Sequence, residues 1–231
     1  MIEIAASILS ADFKRLGDQL SEAFSAGISM VHVDVMDGQF VQNLSMGPEV
    51  LKAVRSCADA VGAIVTVHLM IVQPERFVGT FIDSGAHRVI VHVECGQRLC
   101  STLQRIRELG ATPAVAINPT TPLVMLEELL AEVALIMIMG VEPGFGGQRF
   151  RPATLERIVR VKHMLATRGL HAVEIAVDGG INADTIAAVA EAGASYMVVG
   201  SALFNSRASV AENLRALHDA VSLSAPAKTS S

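Results

Sequence analysis

Tryptophan is absent from this chain, and aromatic residues of any kind make up only 4% of it. Its interior must therefore be built from Ala, Val, Ile, Leu and Met, which are plentiful in a chain that is 51% hydrophobic over 231 residues. Cysteine is scarce as well. Cys57, Cys95 and Cys100 are the three present. They lack paired metal-ligand spacing, so neither a zinc module nor a disulfide framework is indicated. An odd cysteine count without a signal peptide points to a reducing cytoplasm. Positive charge is not in excess either: 18 Lys and Arg stand against 23 Asp and Glu, for a net charge of -5. No basic stripe could neutralise a row of phosphates, which excludes a nucleic-acid partner, and no basic amphipathic segment suits a membrane surface. Nor does any apolar run approach the ~18 residues that span a bilayer. The positive mean hydropathy is then a sign of buried strands.

What the chain does have is a regular alternation of short apolar runs and longer amphipathic ones. Strands are predicted at Ile2–Ser7, Met30–Asp34, Ile64–His68, Arg88–Val93, Pro113–Ile117, Leu135–Met139, Glu174–Val177 and Tyr196–Val199. Most are almost continuously apolar, as parallel strands buried on both faces should be. Helices are predicted at Ala11–Ala26, Gly47–Ala58, Pro74–Ser84, Gln97–Leu109, Pro122–Val133, Pro152–Arg168, Ala183–Ala192 and Ser209–Leu223. Gly27, Gly85, Gly110, Gly169 and Gly193 fall where helix-terminating glycines belong. Eight β–α units at roughly 28 residues each are the count of a TIM (β/α)8 barrel. A doubly wound open sheet is the competing fold, but no shift in composition marks a second domain. The expectation is one barrel over residues 1–223, with a small polar tail at 224–231 that is disordered.

A barrel puts its chemistry at the C-terminal strand ends. The second predicted strand ends in VHVDVMDG, where His32 and Asp34 share one strand face. His68 ends the third strand and Asp178 follows the seventh. Alone, a strand His and Asp are explained by a buried hydrogen bond between them. Two imidazoles and two carboxylates at one barrel mouth form a donor set for a divalent metal such as Zn, Mn, Fe or Co. The alternative is a metal-free polar network.

Glycine clusters follow three strands: Gly140–Gln148, Asp178-Gly179-Gly180 and Gly200-Ser201-Ala202. A single Gly-Gly is usually a turn. Three such loops on one face point to phosphate, which backbone N–H groups approach closely where no Cβ intervenes. No Lys or Arg lies inside these clusters, so backbone amides are expected to do most of the binding.

SILSADF, HVDVMDGQFVQNLSMGP, VHLM, INPTTPL, VEPGFGGQRF, VDGGI and GSALF, in this order from about Ile4 to Phe204, resemble the ribulose-phosphate 3-epimerase family. The resemblance implies a barrel that epimerises a ketose phosphate at C3 with one divalent metal. By motif, His32, Asp34, His68 and Asp178 would ligate the metal, and Asp34 and Asp178 would be the acid–base pair. Ser7 and His68 would contact substrate. Gly144, Phe145, Gly146, Gly147, Gly179, Gly180, Gly200 and Ser201 would surround the phosphate. Met36, Met70 and Met139 would line the pocket, although ordinary core packing explains methionines equally well. Departures from the family pattern are Ala6 and Gln42 for Pro, Gly140 for a common Ser, Glu142 for Asn or Asp, and the segment VHVECG. None removes a donor or an acid–base residue; several bear on substrate preference. The resemblance also implies a homo-oligomer.

Loss and return of a proton on opposite faces of C3 needs two bases or one that moves, and two aspartates flanking the substrate meet that need. D-ribulose 5-phosphate is the expected substrate. Alternatives are D-allulose 6-phosphate, with the same chemistry on six carbons, and a barrel that binds phosphate without catalysis. A Schiff-base aldolase is disfavoured, since no predicted strand ends in Lys.

Overall fold

Eight apolar runs form the strands β1 (Glu3–Ser7), β2 (Met30–Met36), β3 (Ile64–Met70), β4 (Arg88–His92), β5 (Thr112–Ile117), β6 (Leu135–Met139), β7 (Glu174–Asp178) and β8 (Tyr196–Val199). They pair in parallel and in sequence order, and β8 returns to β1, closing the barrel. This is seen in a computed structural model that describes residues 2–224; the tail expected from 224 falls, from 225 onward, outside the described residues.

The strands read as continuously apolar because alternate residues enter two different cores. Ala5, Met30, Ile90, Ala114, Met137, Ala176 and Tyr196 fill the barrel interior. Val31, Val33, Val65, Val67, Val89 and Val91 face outward and meet the helices. Small and large side chains interleave inside, as a closed barrel of eight strands requires. The single tyrosine, Tyr196, is fully buried there and donates to Thr66 Oγ1 at 3.3 Å. The Arg88 guanidinium lies 5.4 Å from the Tyr196 ring centroid and 2.9 Å from Glu174, which places an ion pair at the N-terminal floor of the barrel.

The outer layer holds α1 (Leu16–Ser25), α2 (Pro48–Asp59), α3 (Val78–Asp83), α4 (Leu99–Glu108), α5 (Ala153–Thr167), α6 (Ile186–Ala192) and α7 (Val210–Ser224). In α2, Leu51, Val54 and Ala58 face the sheet, and Pro48 opens the helix where its missing N–H is not needed. The five predicted helix-ending glycines all have positive φ, from 69° at Gly169 to 118° at Gly193.

Two kinds of element depart from expectation. The α-helix predicted at Pro122–Val133 is absent; Leu123–Leu126 is a 3₁₀ turn, and i→i+3 bonds continue from Leu129 N–H to Leu126 O and from Glu132 N–H to Leu129 O. Leu123 and Leu126 are buried on this turn, and Leu126, Leu129, Leu130 and Val133 are buried at spacings of three and four, which is why the run reads as an α-helix in sequence. The helices predicted from Ala11, Pro74 and Gln97 also begin later. Their first turns are 3₁₀ segments at Phe13–Arg15, Pro74–Arg76 and Val93–Arg98. At the first of these, Asp12 accepts from Lys14 N–H, a local bond that competes with an α-helical start. Strands β2 and β3 run two residues beyond their predicted ends, because pairing continues through Met36 and Met70.

Candidate active site

Register brings the polar strand residues together. Asp34 pairs with His68 across β2 and β3, and His32 pairs with Thr66. With Val31, Val33 and Val35 facing the helices, His32 and Asp34 point into the barrel. On the far side of β1 and β8, β7 delivers Asp178 to the same mouth. Four donor atoms then lie within 4.8 Å of one another. Asp34 Oδ1 is 3.2 Å from His32 Nε2 and 3.3 Å from His68 Nδ1. Asp178 Oδ2 is 3.5 Å from His68 Nδ1 and 4.0 Å from His32 Nε2.

These spacings fit a metal. Four donors each ~2.1 Å from a tetrahedral ion are about 3.4 Å apart. Both ring nitrogens of His32 are buried without a hydrogen-bond partner, an arrangement that is costly unless something else meets them. Burial alone would raise the Asp34 carboxyl, but His32 and His68 hold it far below the usual carboxylate range. Burial would lower His68, yet hydrogen bonds to Asp178 and Asp34 outweigh it and hold the imidazole up at about 9. Ser7 Oγ donates to Asp34 Oδ2 at 2.8 Å, orienting the carboxylate from β1.

Above the cluster is a cavity of about 620 Å³. Ser7, Asp34 and Asp178 reach its wall, together with Met36, Met70 and Met139. The opposite wall holds Gly144, Phe145, Gly146, Gly147, Gly179, Gly180, Gly200 and Ser201. Every candidate catalytic, binding, pocket-lining and metal residue therefore faces this cavity except His32 and His68, which are fully buried beneath the carboxylates; the departures Ala6, Gln42, Gly140 and Glu142 do not line it. For His68, this places the ring with the donor cluster and off the cavity wall. Asn43 Nδ2 donates to Gly144 O at 2.7 Å, tying the loop after β2 to the loop after β6.

Two glycines are sterically required. A Cβ at Gly140 would collide with the Gly179 carbonyl oxygen, so a Ser here would force the loops after β6 and β7 apart. At Gly180, φ is +73° and a Cβ would lie 2.5 Å from Phe150 N. We expect Gly180→Ala to destabilise the fold by on the order of 2–4 kcal/mol and to raise KM for the sugar phosphate. Urea melts and steady-state kinetics check this; a variant with unchanged stability and KM would refute it.

Three functional candidates escaped the sequence reading. Arg207 lines the cavity beside Asn205, beyond the Gly200-Ser201-Ala202 cluster. His92 ends β4, and its Nε2 lies 2.9 Å from His68 Nε2. Glu94 accepts from Asn118 N–H at 2.8 Å and Thr121 Oγ1 at 2.5 Å through Oε1, while its Oε2 meets His92 Nδ1 at 3.0 Å. Burial pushes His92 down to about 4, against the pull of Glu94. Burial would raise Glu94, but its bonds from His92 and Thr121 keep it below the ordinary range. The available signal was a His two residues before a Glu at a fourth strand end.

The sequence matches the ribulose-phosphate 3 epimerase family over residues 3–204. It is 46% identical over 206 residues to ribulose-phosphate 3-epimerase of Synechocystis, covering 88% of this chain and 88% of that one. It is 42% identical over 204 residues to the Bacillus subtilis enzyme of the same name, covering 88% and 93%. Among solved structures, 3-keto-L-gulonate-6-phosphate decarboxylase from Vibrio cholerae superposes with a TM-score of 0.70 at 12% identity, over 97% of this chain and 99% of that one, a likeness of fold alone. With residues 3–204 matched to the family and two relatives above 40% identity over 93% and 88% of their own lengths, this chain belongs to the ribulose-phosphate 3-epimerase family.

Proposed function

We propose that the single barrel of residues 1–223 interconverts D-ribulose 5-phosphate and D-xylulose 5-phosphate by moving the proton on C3 between two faces. The observation that carries this reading is that Asp34 and Asp178, from strands separated by β1 and β8, face one cavity while sharing the His68 ring below it. One carboxylate removes the C3 proton and the other, protonated, returns one from the opposite side; the roles exchange with direction. Ser7 orients Asp34 and meets the substrate near the reacting carbon. The loops at Gly144–Gly147, Gly179–Gly180 and Gly200–Ser201 receive the phosphate through backbone N–H groups, with Arg207 adding a positive charge at the rim. Met36, Met70 and Met139 form a polarizable apolar wall that excludes water from the anionic intermediate.

His32, Asp34, His68 and Asp178 would hold a divalent ion, zinc, manganese, iron or cobalt. Such an ion supplies Lewis-acid stabilisation of negative charge on the substrate oxygens beside C3. Among the described residues no helix is long and apolar enough to cross a membrane. The unpaired cysteines support a cytoplasmic setting, and exposed Val61, Val124, Met125 and Val159 support a homo-oligomer.

The test is solvent deuterium incorporation at C3 of D-ribulose 5-phosphate, with kcat/KM measured in parallel on D-allulose 6-phosphate. Rapid incorporation and a preference for the five-carbon sugar of at least about tenfold, a difference of about 1.4 kcal/mol, are expected. A much higher kcat/KM on the six-carbon sugar would reassign the substrate. No incorporation at all would favour a barrel that only binds phosphate.

A further inference from the structure

Behind the donor cluster a chain of hydrogen bonds runs outward from His68 through His92 to Glu94, and an ionised Glu94 sets its polarity. Burial notwithstanding, its bonds keep Glu94 ionised, and an ionised carboxylate can only accept. Its Oε1 is taken by the Asn118 N–H and the Thr121 hydroxyl, and its Oε2 faces His92 Nδ1. His92 Nδ1 must therefore carry a hydrogen. In a neutral imidazole the other nitrogen is then bare. That bare Nε2 is 2.9 Å from His68 Nε2. The ring planes are 16° apart and their centroids 5.0 Å apart, so the nitrogens meet edge to edge rather than face on. The hydrogen between them belongs to His68 Nε2. Whenever His68 is neutral, as an ion at the cluster requires, its lone pair is then on Nδ1, the atom that lies 3.3 Å from Asp34 and 3.5 Å from Asp178.

We infer that Glu94 and His92 are positioning residues that fix the tautomer of His68, and so aim its Nδ1 lone pair into the donor cluster. Nothing in the surroundings offers His68 Nε2 a different route to water. His68 and His92 are both fully buried, and the Phe40 ring covers His92 at a centroid distance of 4.6 Å. Metal-ligating histidines are commonly held by an outer carboxylate or carbonyl on their second nitrogen. Here the carboxylate acts at one remove, through a second imidazole. The relay also joins the ends of β3 and β4 to the loop after β5, because Asn118 and Thr121 orient the carboxylate. Its polarity is thus set by residues that do not line the cavity. The inference rests on the metal reading given above.

Glu94→Gln tests it with almost no change in shape. The side-chain oxygen stays where the Asn118 N–H and Thr121 hydroxyl require an acceptor, so the introduced amide NH₂ faces His92 Nδ1. That nitrogen becomes an acceptor, the hydrogen moves to His92 Nε2, and His68 Nε2 must accept. The proton of His68 is then on Nδ1, where the ion should be. We expect zinc affinity, measured by competition with a chromophoric chelator, to fall ten- to a hundredfold in Glu94→Gln. The melting temperature of the metal-free variant should stay close to that of the parent. In the zinc-loaded parent, ¹⁵N resonances of the imidazoles should show hydrogen on His68 Nε2 and on His92 Nδ1. A purely structural Glu94 would leave the tautomers and the zinc affinity unchanged, and that result overturns the relay. The opposite tautomers in the parent protein overturn it as well, even if the variant fails to fold. Failure of the parent to bind zinc or any other first-row divalent ion overturns the metal reading itself, a different outcome from equal binding by parent and variant.

Discussion

Asp34→Asn and Asp178→Asn are each expected to abolish solvent exchange at C3, with kcat/KM falling by at least about 10³-fold. An amide cannot take a proton from carbon, and the two carboxylates stand on strands on different sides of the same mouth, so neither can serve both faces. Each is also one of the four clustered donors, which makes the loss larger than removal of a base alone. The substitution is close to isosteric, and Asp34 keeps its contact with the Ser7 hydroxyl through the remaining carbonyl oxygen. Folding should therefore survive, and circular dichroism of both variants should match the parent. Proton–deuterium exchange followed by NMR from each epimer separately is the decisive measurement. Near-parental exchange by either variant would sink the two-base assignment. Exchange retained from one epimer only would assign the surviving carboxylate to that face.

Removal of the divalent ion is expected to be nearly as damaging, with activity falling by on the order of 10³-fold after chelation and returning with zinc, cobalt or manganese. The pH dependence of reloading follows from His68. In the metal-free protein its imidazole is held up at about 9, against an ordinary value of 6.5. Below that value an ion must displace a proton from Nδ1, so zinc affinity should rise about tenfold per pH unit between pH 7 and pH 8 and flatten above about 9. Stability of the metal-free protein should move the other way. Between 6.5 and about 9 the folded chain binds a proton on His68 that the unfolded chain releases, so this contribution is complete below 6.5 and is lost as pH rises through about 9. Isothermal titration with zinc and urea melts of the metal-free protein, each across pH 6.5–9.5, check both slopes. A zinc affinity independent of pH over this range would remove His68 from the donor set.

These expectations rest on features of unequal legibility. The alternation of buried runs with amphipathic segments, and the glycines that end the helices, are local properties of the chain. They specify eight β–α units because strand and helix periods differ and because only glycine accepts the positive φ found at Gly27 or Gly193 without strain. The spacing of His32 and Asp34 likewise dictates a shared face, whatever the strand's neighbours. The 3₁₀ segment at Leu123–Leu126 was harder to read. A period of three and a period of 3.6 are hard to tell apart over a four-residue turn, and the buried Leu126, Leu129, Leu130 and Val133 that run on from it are spaced as on an α-helix.

What one strand's residues meet on the next is not local at all. It depends on the stagger that closes the barrel. Asp34 faces His68 because β2 and β3 pair at that register, and His68 faces Ile90, which places His92 one pleat higher on the inward face of β4. From the sequence alone, V-H-V-E was an unassigned departure from a pattern; closure made it a contact with His68, completed by Glu94 and a loop from beyond β5. Arg207 reached the cavity for the same reason, through the turn after β8. By itself the sequence determined the count of units, the faces of the strands, the glycine loops and the family. Only the tertiary structure decided which polar groups touch, because inter-strand register and loop return are set by closure of the barrel, not by any one segment of the chain.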